Sequence, residues 1–478
     1  MKDKYDVVII GAGIGGLVCG CYLAKAGLKV LIVEKNDKPG GYCSSFERDG
    51  YRFDVGVIGL ENCSRNNILG RIMEDLHLDI NLNRINPSEV LILPHYEIPI
   101  WNNFRKTIKE FKKAFPLDSK QIENFFIFLK KTSYQSLYAK FKTYTLQNLL
   151  NSYFRNEKLK AVFKLISALL GQFSPIVSAL PSLIMYKGFF FDGGYYPQGG
   201  MQSFIESLLR CFIQHRGKIL LSSKVKKILI ENNTVKGIIL DTKEIINSKL
   251  VISACDVRQL YFKLMDKRYL PKGVIYKIYK LFPSLAPFMV FLKLKKRLKL
   301  KYNAKYWYTT SYSIDKILEK LYKCEYAVSK DLISISIPSL YDNTLNMVNG
   351  ESICILTLAQ YMNKSYWDKN KEKIAKEIIK KCKKIIDNLT NKIIDMEVAT
   401  PFTYYKFTLN YRGAAYGWVY TPNHVINSIF LTQRTPVKNL FLIGQWSFQG
   451  FGASRVALSA YSVANMVINS FGNFRKEK

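Results

Sequence analysis

Residues 11–16 read GAGIGG and place Gly11, Gly13 and Gly16 in the register GxGxxG. The three glycines serve different ends. The first makes a tight turn, the second lets the backbone approach a pyrophosphate, and the third lets a helix pack close on a strand. Glu34 follows about 20 residues on, where a carboxylate accepts hydrogen bonds from both hydroxyls of an adenosine ribose and disfavours a 2′-phosphate. Together these residues specify a dinucleotide site, and the glycines alone leave open which dinucleotide. No general acid or base stands out. His77, His95, His215 and His424 are isolated and read as surface or core residues. The nine cysteines are scattered from Cys19 to Cys382 with no CxxC pair and no histidine cluster beside them. Neither a disulfide framework nor a metal site is readable, and a reducing cytosol fits that usage.

The elements that must hold the glycines are a strand over 5–10 (YDVVII), a helix over 15–27 and a second strand over 28–34. Lys2 and Lys4 before an apolar stretch resemble a secretory leader, but the glycines interrupt that stretch. From about 96 to 190 long helical patterns carry aromatics and lysines, as in residues 125–144. A glycine-rich stretch at 193–202 leads into a helix ending near 215, and strands follow at 224–230, 235–240 and 249–254, with a turn at Asn232-Asn233. Strand-like runs at 333–340 and 351–360 precede a basic amphipathic helix on which Ile374, Ile378, Cys382, Ile385 and Leu389 recur at helical spacing. Residues 439–446 read as a strand entering a glycine-rich turn, with a helix over 453–470. At 478 residues the chain exceeds what one core serves. The expected fold class is α/β: a Rossmann-like domain from 1–95, 193–260 and 431–478, interleaved with an α+β substrate domain from 96–192 and 261–430 that carries a mixed sheet and helices.

The formal charge is +34, from 71 basic and 37 acidic residues, and a lysine-rich composition bias would raise glutamate as well. An anionic membrane surface is the expected partner, since no motif that reads nucleic acid appears. No apolar run is long enough to span a bilayer, so the expected contact is peripheral, from the cytoplasm at the inner face of the membrane. The basic aromatic stretch 105–160 is the expected contact, with plain helix packing as the alternative. Aromatics at 14% suit a long apolar cavity.

Residues 35–56, KNDKPGGYCSSFERDGYRFDVG, carry the paired Gly40-Gly41, the hydroxyls Ser44-Ser45 and an aromatic-Asp-x-Gly at 53–56. They resemble the flavin-binding motif of the FAD-dependent oxidoreductases that include amine oxidases and, more closely, bacterial-type phytoene desaturases, carotenoid isomerases and retinol saturases. Further segments are similar: GGYYPQGGMQSF (193–204), VISACD (251–256), TPFTYYKFTLNYRGAAYGWVYTP (400–422) and NLFLIGQWSFQGFGASRVALSA (439–460). The resemblance runs essentially end to end. It implies FAD as the cofactor, held at the glycine turn with Ile14 and Gly15, and at Glu34, Lys35, Gly40, Gly41, Ser44, Ser45 and Gly56. It implies a backbone contact from Val225 to adenine, and flavin contacts from Gly444, Gln445, Gly452, Ala453 and Val456. Gln445 replaces an acid found in many relatives, and a glutamine carbonyl still accepts one hydrogen bond there.

The implied activity is redox chemistry on a long isoprenoid polyene, foremost desaturation with hydride transfer to flavin N5. Cofactor and cavity geometry then carry most of the chemistry. Three side chains are candidates for a catalytic part: Arg455 beside the reduced flavin, and Glu61 and Asp54 as acids, Asp54 having the alternative of holding a turn. Rival readings are non-redox isomerisation or saturation by reduced FAD, an amine oxidase acting on a polar substrate, and a non-catalytic isoprenoid carrier.

Overall fold

The computed structural model describes residues 5–168, 171, 173–345, 350–427, 431–447 and 452–476, with side chains to residue 470. Lys2 and Lys4, and residues 448–451 of the closing motif, lie outside the described residues.

Tyr5–Ile10 (β1) is apolar on both faces and almost wholly buried, the pattern of an interior strand in a parallel sheet. It leads through the glycine turn into Ile14–Lys25 (α1) and returns as Val30–Val33 (β2), paired parallel to β1 from Val7↔Val30 to Ile10↔Val33. The helix lies close because a Cβ on Gly16 would stand 1.9 Å from the Gly11 carbonyl oxygen, and one on Gly20 would stand 2.8 Å from Ile32. Later segments complete this sheet, which has seven strands among the described residues. Ile245–Ser253 (β3) pairs parallel on the other side of β1, and Leu440–Leu442 (β4) pairs parallel with β3. Val225–Glu231 and Thr234–Leu240 extend it as an antiparallel hairpin. Its turn places Asn232 and Asn233 at φ 47° and 56°, the left-handed pair that a tight two-residue hairpin requires. Ala453–Lys476 (α2) packs on α1, and a Cβ on Gly15 would meet Val456 at 3.2 Å.

A second sheet, also seven-stranded among the described residues, is ordered Ile393–Ala399, Ala286–Leu294, Glu351–Ala359, Leu332–Ser336, Lys305–Thr309, Glu89–Leu93 and Tyr96–Ile100. Its strands alternate cleanly. Leu91, Leu93, Met289, Phe291 and Trp307 join the core under the helices between Phe104–Ala114 and Ala179–Phe191. Val90, Ile92, Phe288 and Val290 face the opposite side, which Lys364–Cys382 covers. The fold is therefore the expected Rossmann-like α/β unit joined to a mixed sheet with helices.

Local expectations shift in four places. The run 125–144 is two helices, Ser119–Lys131 and Tyr134–Phe141, the second capped by the Ser133 side chain accepting from the Ser136 N–H. Strand Leu332–Ser336 stops before Pro338, which opens a 3₁₀ turn. The basic helix ends at Cys382, so half-buried Ile385 lies beyond it and Leu389 opens a separate turn. Glu89–Leu93, inside the segment expected to serve the first domain, instead pairs parallel with Lys305–Thr309 in the second sheet.

Candidate active site

A cavity of about 700 Å³ opens where β1, β2, β3 and β4 end. Ile10, Val33, Ala254 and Gly444 line it, each at or just past the carboxyl end of its strand, the usual place for a ligand in an open α/β sheet. One end is formed by Ser223–Lys226, Asp241, Gln259 and Lys263, the other by Ala415, Tyr416, Gln445, Trp446 and the start of α2. The volume falls within the roughly 300–1,000 Å³ of cofactor-sized sites.

The glycine turn supplies the middle. A Cβ on Gly13 would meet nothing within 4 Å, and the same is true of Gly444; both open onto space that a ligand's phosphates or rings can enter. Gly11 holds φ at 101°, a conformation that favours glycine. Glu34 is buried at the end of β2, with Oε2 accepting from the Ala12 N–H at 2.8 Å and Oε1 from the Asn36 N–H at 2.9 Å. Each oxygen keeps a lone pair for a ribose hydroxyl. Lys35 donates to Asn36 and to the Lys406 carbonyl, and burial lowers its pKa. The first turn of α2 reaches the other end through Gly452, Ala453 and Val456, adding the partial positive charge of a helix N-terminus.

Of the residues singled out for the cofactor, Gly11, Gly13, Ile14, Gly15, Glu34, Lys35, Gly40, Gly41, Val225, Gly444, Gln445, Gly452, Ala453 and Val456 line this cavity. Gly16 lies behind it, packed on Gly11. Ser44 turns its hydroxyl to the Gly41 carbonyl, and Ser45 donates to Asp54 at 2.7 Å, so neither hydroxyl lines the cavity. Gly56 backs the Tyr42 ring, which a Cβ there would meet at 2.8 Å.

The three catalytic candidates separate. Asp54 is tied up: it accepts from Ser45 Oγ, from the Tyr196 hydroxyl at 2.6 Å and from the Met201 N–H at 3.2 Å. It joins the hairpin Ser45–Asp54 to helix Met201–Gln214 away from the cavity, and burial raises its pKa. These bonds hold the turn. Arg455 sits half-buried on α2, facing Tyr134, Tyr420 and Glu61 rather than lining the cavity, and burial lowers its pKa. Glu61 lies beside the start of α2, its Oε1 3.8 Å from the position of a Cβ on Gly452, and burial raises its pKa to about 7. None of the four histidines is among the lining residues.

Reading the residues in order missed the aromatic wall. Tyr42 stacks on Tyr404 with centroids 5.5 Å apart and donates to the Gly413 and Ala414 carbonyls. Trp446 donates to Asn410 at 2.9 Å and packs edge-on to Trp418. Gly417, at φ 66°, lets the loop carrying Tyr416 approach the Gln445 carbonyl, which a Cβ would meet at 2.3 Å. The GAAYG run held the available signal for Ala415 and Tyr416; Tyr42 and Trp446 had none beyond their neighbouring glycines.

The chain is 26% identical over 523 residues to a chloroplastic prolycopene isomerase of Daucus carota, covering 98% of this chain and 81% of that protein. It is 25% identical over 515 residues to an all-trans-retinol 13,14-reductase of Danio rerio, covering 93% and 83%. An oxidoreductase structure from Methanosarcina mazei shares the fold, with a TM-score of 0.72 at 19% identity over 97% of this chain and all of that one. The profile of the flavin containing amine oxidoreductases matches residues 14–468. The open glycines, the cavity-lining carboxylate of Glu34 and the helix start at Gly452 fit FAD in this cavity, and the chain belongs to the family of flavin containing amine oxidoreductases.

Proposed function

We propose that this protein is an FAD-dependent enzyme that acts on a long isoprenoid polyene, isomerising or saturating a double bond with FAD in its reduced form. The supporting observation is the likeness, along nearly the whole chain, to two proteins whose named substrates, prolycopene and retinol, are both conjugated isoprenoids. Bound in the cavity, FAD supplies a hydride acceptor or, when reduced, a hydride donor. The chain's own residues bind and orient it: the glycine turn and the start of α2 face its charged groups, and Glu34 holds the ribose. Tyr42, Tyr416 and Trp446 add an aromatic wall. Desaturation is the second reading, since the same site with oxidised FAD would remove hydride instead.

The substrate is lipid-soluble, and the protein is proposed to meet it at the cytoplasmic, inner face of the membrane, as a peripheral protein. Among the described residues no helix is long and apolar enough to cross a membrane. Ile127, Tyr134, Tyr138 and Tyr144 are exposed on a helical layer rich in lysine, a surface suited to anionic headgroups.

The test is anaerobic incubation of the FAD-bound protein, oxidised and photoreduced in turn, with cis- and all-trans-polyenes in liposomes. Products are separated by chromatography while the flavin absorbance is followed. Isomerised or saturated polyene with reduced FAD supports the reading; bleaching of oxidised FAD with a longer chromophore selects desaturation. No change in any polyene with FAD bound rejects the substrate class.

A further inference from the structure

Among the enclosed carboxyls, Asp54, Glu89 and Asp192 are satisfied by hydrogen bonds or an ion pair. Asp54 accepts three hydrogen bonds, as described. Glu89 pairs with Lys305 at 2.7 Å and accepts from Trp307 Nε1 at 2.9 Å. Asp192 accepts from the Cys63 N–H at 2.9 Å and from the Tyr195 hydroxyl at 3.4 Å. Glu61 differs: among the described residues none hydrogen-bonds its carboxyl, and only charges at a distance act on it.

Its position gives that difference a use. The carboxyl lies beside Gly452, a wall residue of the cavity, and within the electrostatic reach of Tyr416, another wall residue. Glu61 is half-buried and stands behind Gly452 rather than among the residues that line the cavity. The cations facing it are Lys305, whose Nζ lies 2.9 Å from a Cβ position on Gly59, and Arg455. The anions are Glu89 and Asp192, and the Cys63 thiol and Tyr416 hydroxyl complete its titratable surroundings. A buried carboxyl without hydrogen bonds is costly to keep, and such groups beside a cofactor cavity are candidates for acid–base work.

We propose that Glu61 is the acid–base residue of this site, exchanging one proton with a polyene carbon. This rests on the polyene reading above. In isomerisation the Glu61 O–H bond breaks and a C–H bond forms at one carbon of the polyene. The positive charge spreads over the conjugated chain, the weakened C–C bond rotates, and the carboxylate takes the proton back with no net redox change. In saturation the same proton would stay on carbon, and FAD, held by the glycine turn, Glu34 and the start of α2, would when reduced supply the hydride for the neighbouring position. The shift to about 7, with burial as its first cause, keeps both protonation states populated near neutrality, as general acid–base catalysis requires.

The test uses the FAD-bound protein, Glu61→Gln and Glu61→Asp. Infrared difference spectra from about pH 5 to about pH 9 follow the protonated-carboxyl band. The proposal expects a band that disappears near pH 7 in the parent protein and is absent from Glu61→Gln. FAD affinity is expected to stay within about threefold in Glu61→Gln while polyene turnover falls at least about 100-fold in kcat. Glu61→Asp is expected to restore part of that rate with a displaced pH profile. A missing band, or Glu61→Gln turnover within about threefold of the parent, overturns the assignment. A parent protein that binds FAD and converts no polyene overturns the substrate reading, and with it the carbon as proton partner; the infrared titration still decides the protonation state.

Discussion

Gly13 and Gly16 stand in one turn under different constraints. A methyl group on Gly13 points into the open cavity, so Gly13→Ala is expected to keep the unfolding free energy within about 0.5 kcal/mol and to weaken FAD binding at least about tenfold. A methyl group on Gly16 runs into the Gly11 carbonyl, and Gly16→Ala is expected to cost about 1–3 kcal/mol in stability as well as the cofactor. Thermal unfolding and flavin fluorescence on the two variants separate the effects, and equal stability losses would contradict the geometry. Glu61 gives a third residue-level prediction. Its folded pKa of about 7 exceeds the ordinary 4.5, so the folded chain holds its proton more tightly than the unfolded chain does. The group costs nothing below about pH 4.5, loses stability as pH rises towards 7, and reaches its full penalty of about 3 kcal/mol above that. Glu61→Gln is therefore expected to match the parent in thermal stability near pH 4.5 and to exceed it near pH 8; the opposite trend would count against a raised pKa.

At the scale of elements, the opening β1–α1–β2 unit was legible because its signals are local: an apolar run, glycines at fixed spacing, a terminal acid. The same locality explains what was not legible. Ser45 and Asp54 face each other only because the hairpin Ser45–Asp54 forms, and Asp54 is engaged only because Met201 and Tyr196 arrive from a distant segment. Arg455 has a direction only once Tyr134 and Tyr420 pack near it. The helical layer shows a similar split. Phe111, Phe125, Phe126, Phe154, Phe163 and Phe190 pack mainly on one another in the core, so much of the aromatic content builds structure rather than lining a substrate path. Tyr134 and Tyr138 remain exposed, at 58% and 48%. Replacing both by serine is expected to reduce sedimentation with anionic vesicles several-fold without altering FAD content, and the remaining binding is expected to weaken with added salt. Unchanged vesicle binding would assign the contact elsewhere.

Across the whole molecule, the cofactor cavity is assembled from segments far apart in the chain: the glycine turn, the hairpin after residue 224, the loop around Tyr416, and the strand-to-helix turn at Gly444 and Gly452. β4 pairs parallel with β3, which lies far earlier in the chain, so the final wall is delivered last. A ribosome therefore makes the glycine turn early and completes the cavity only after residues 440–456 have emerged. Through most of synthesis the growing chain has a half-built berth that FAD cannot occupy fully, and the yellow colour of the purified protein would report translation carried through to that late segment.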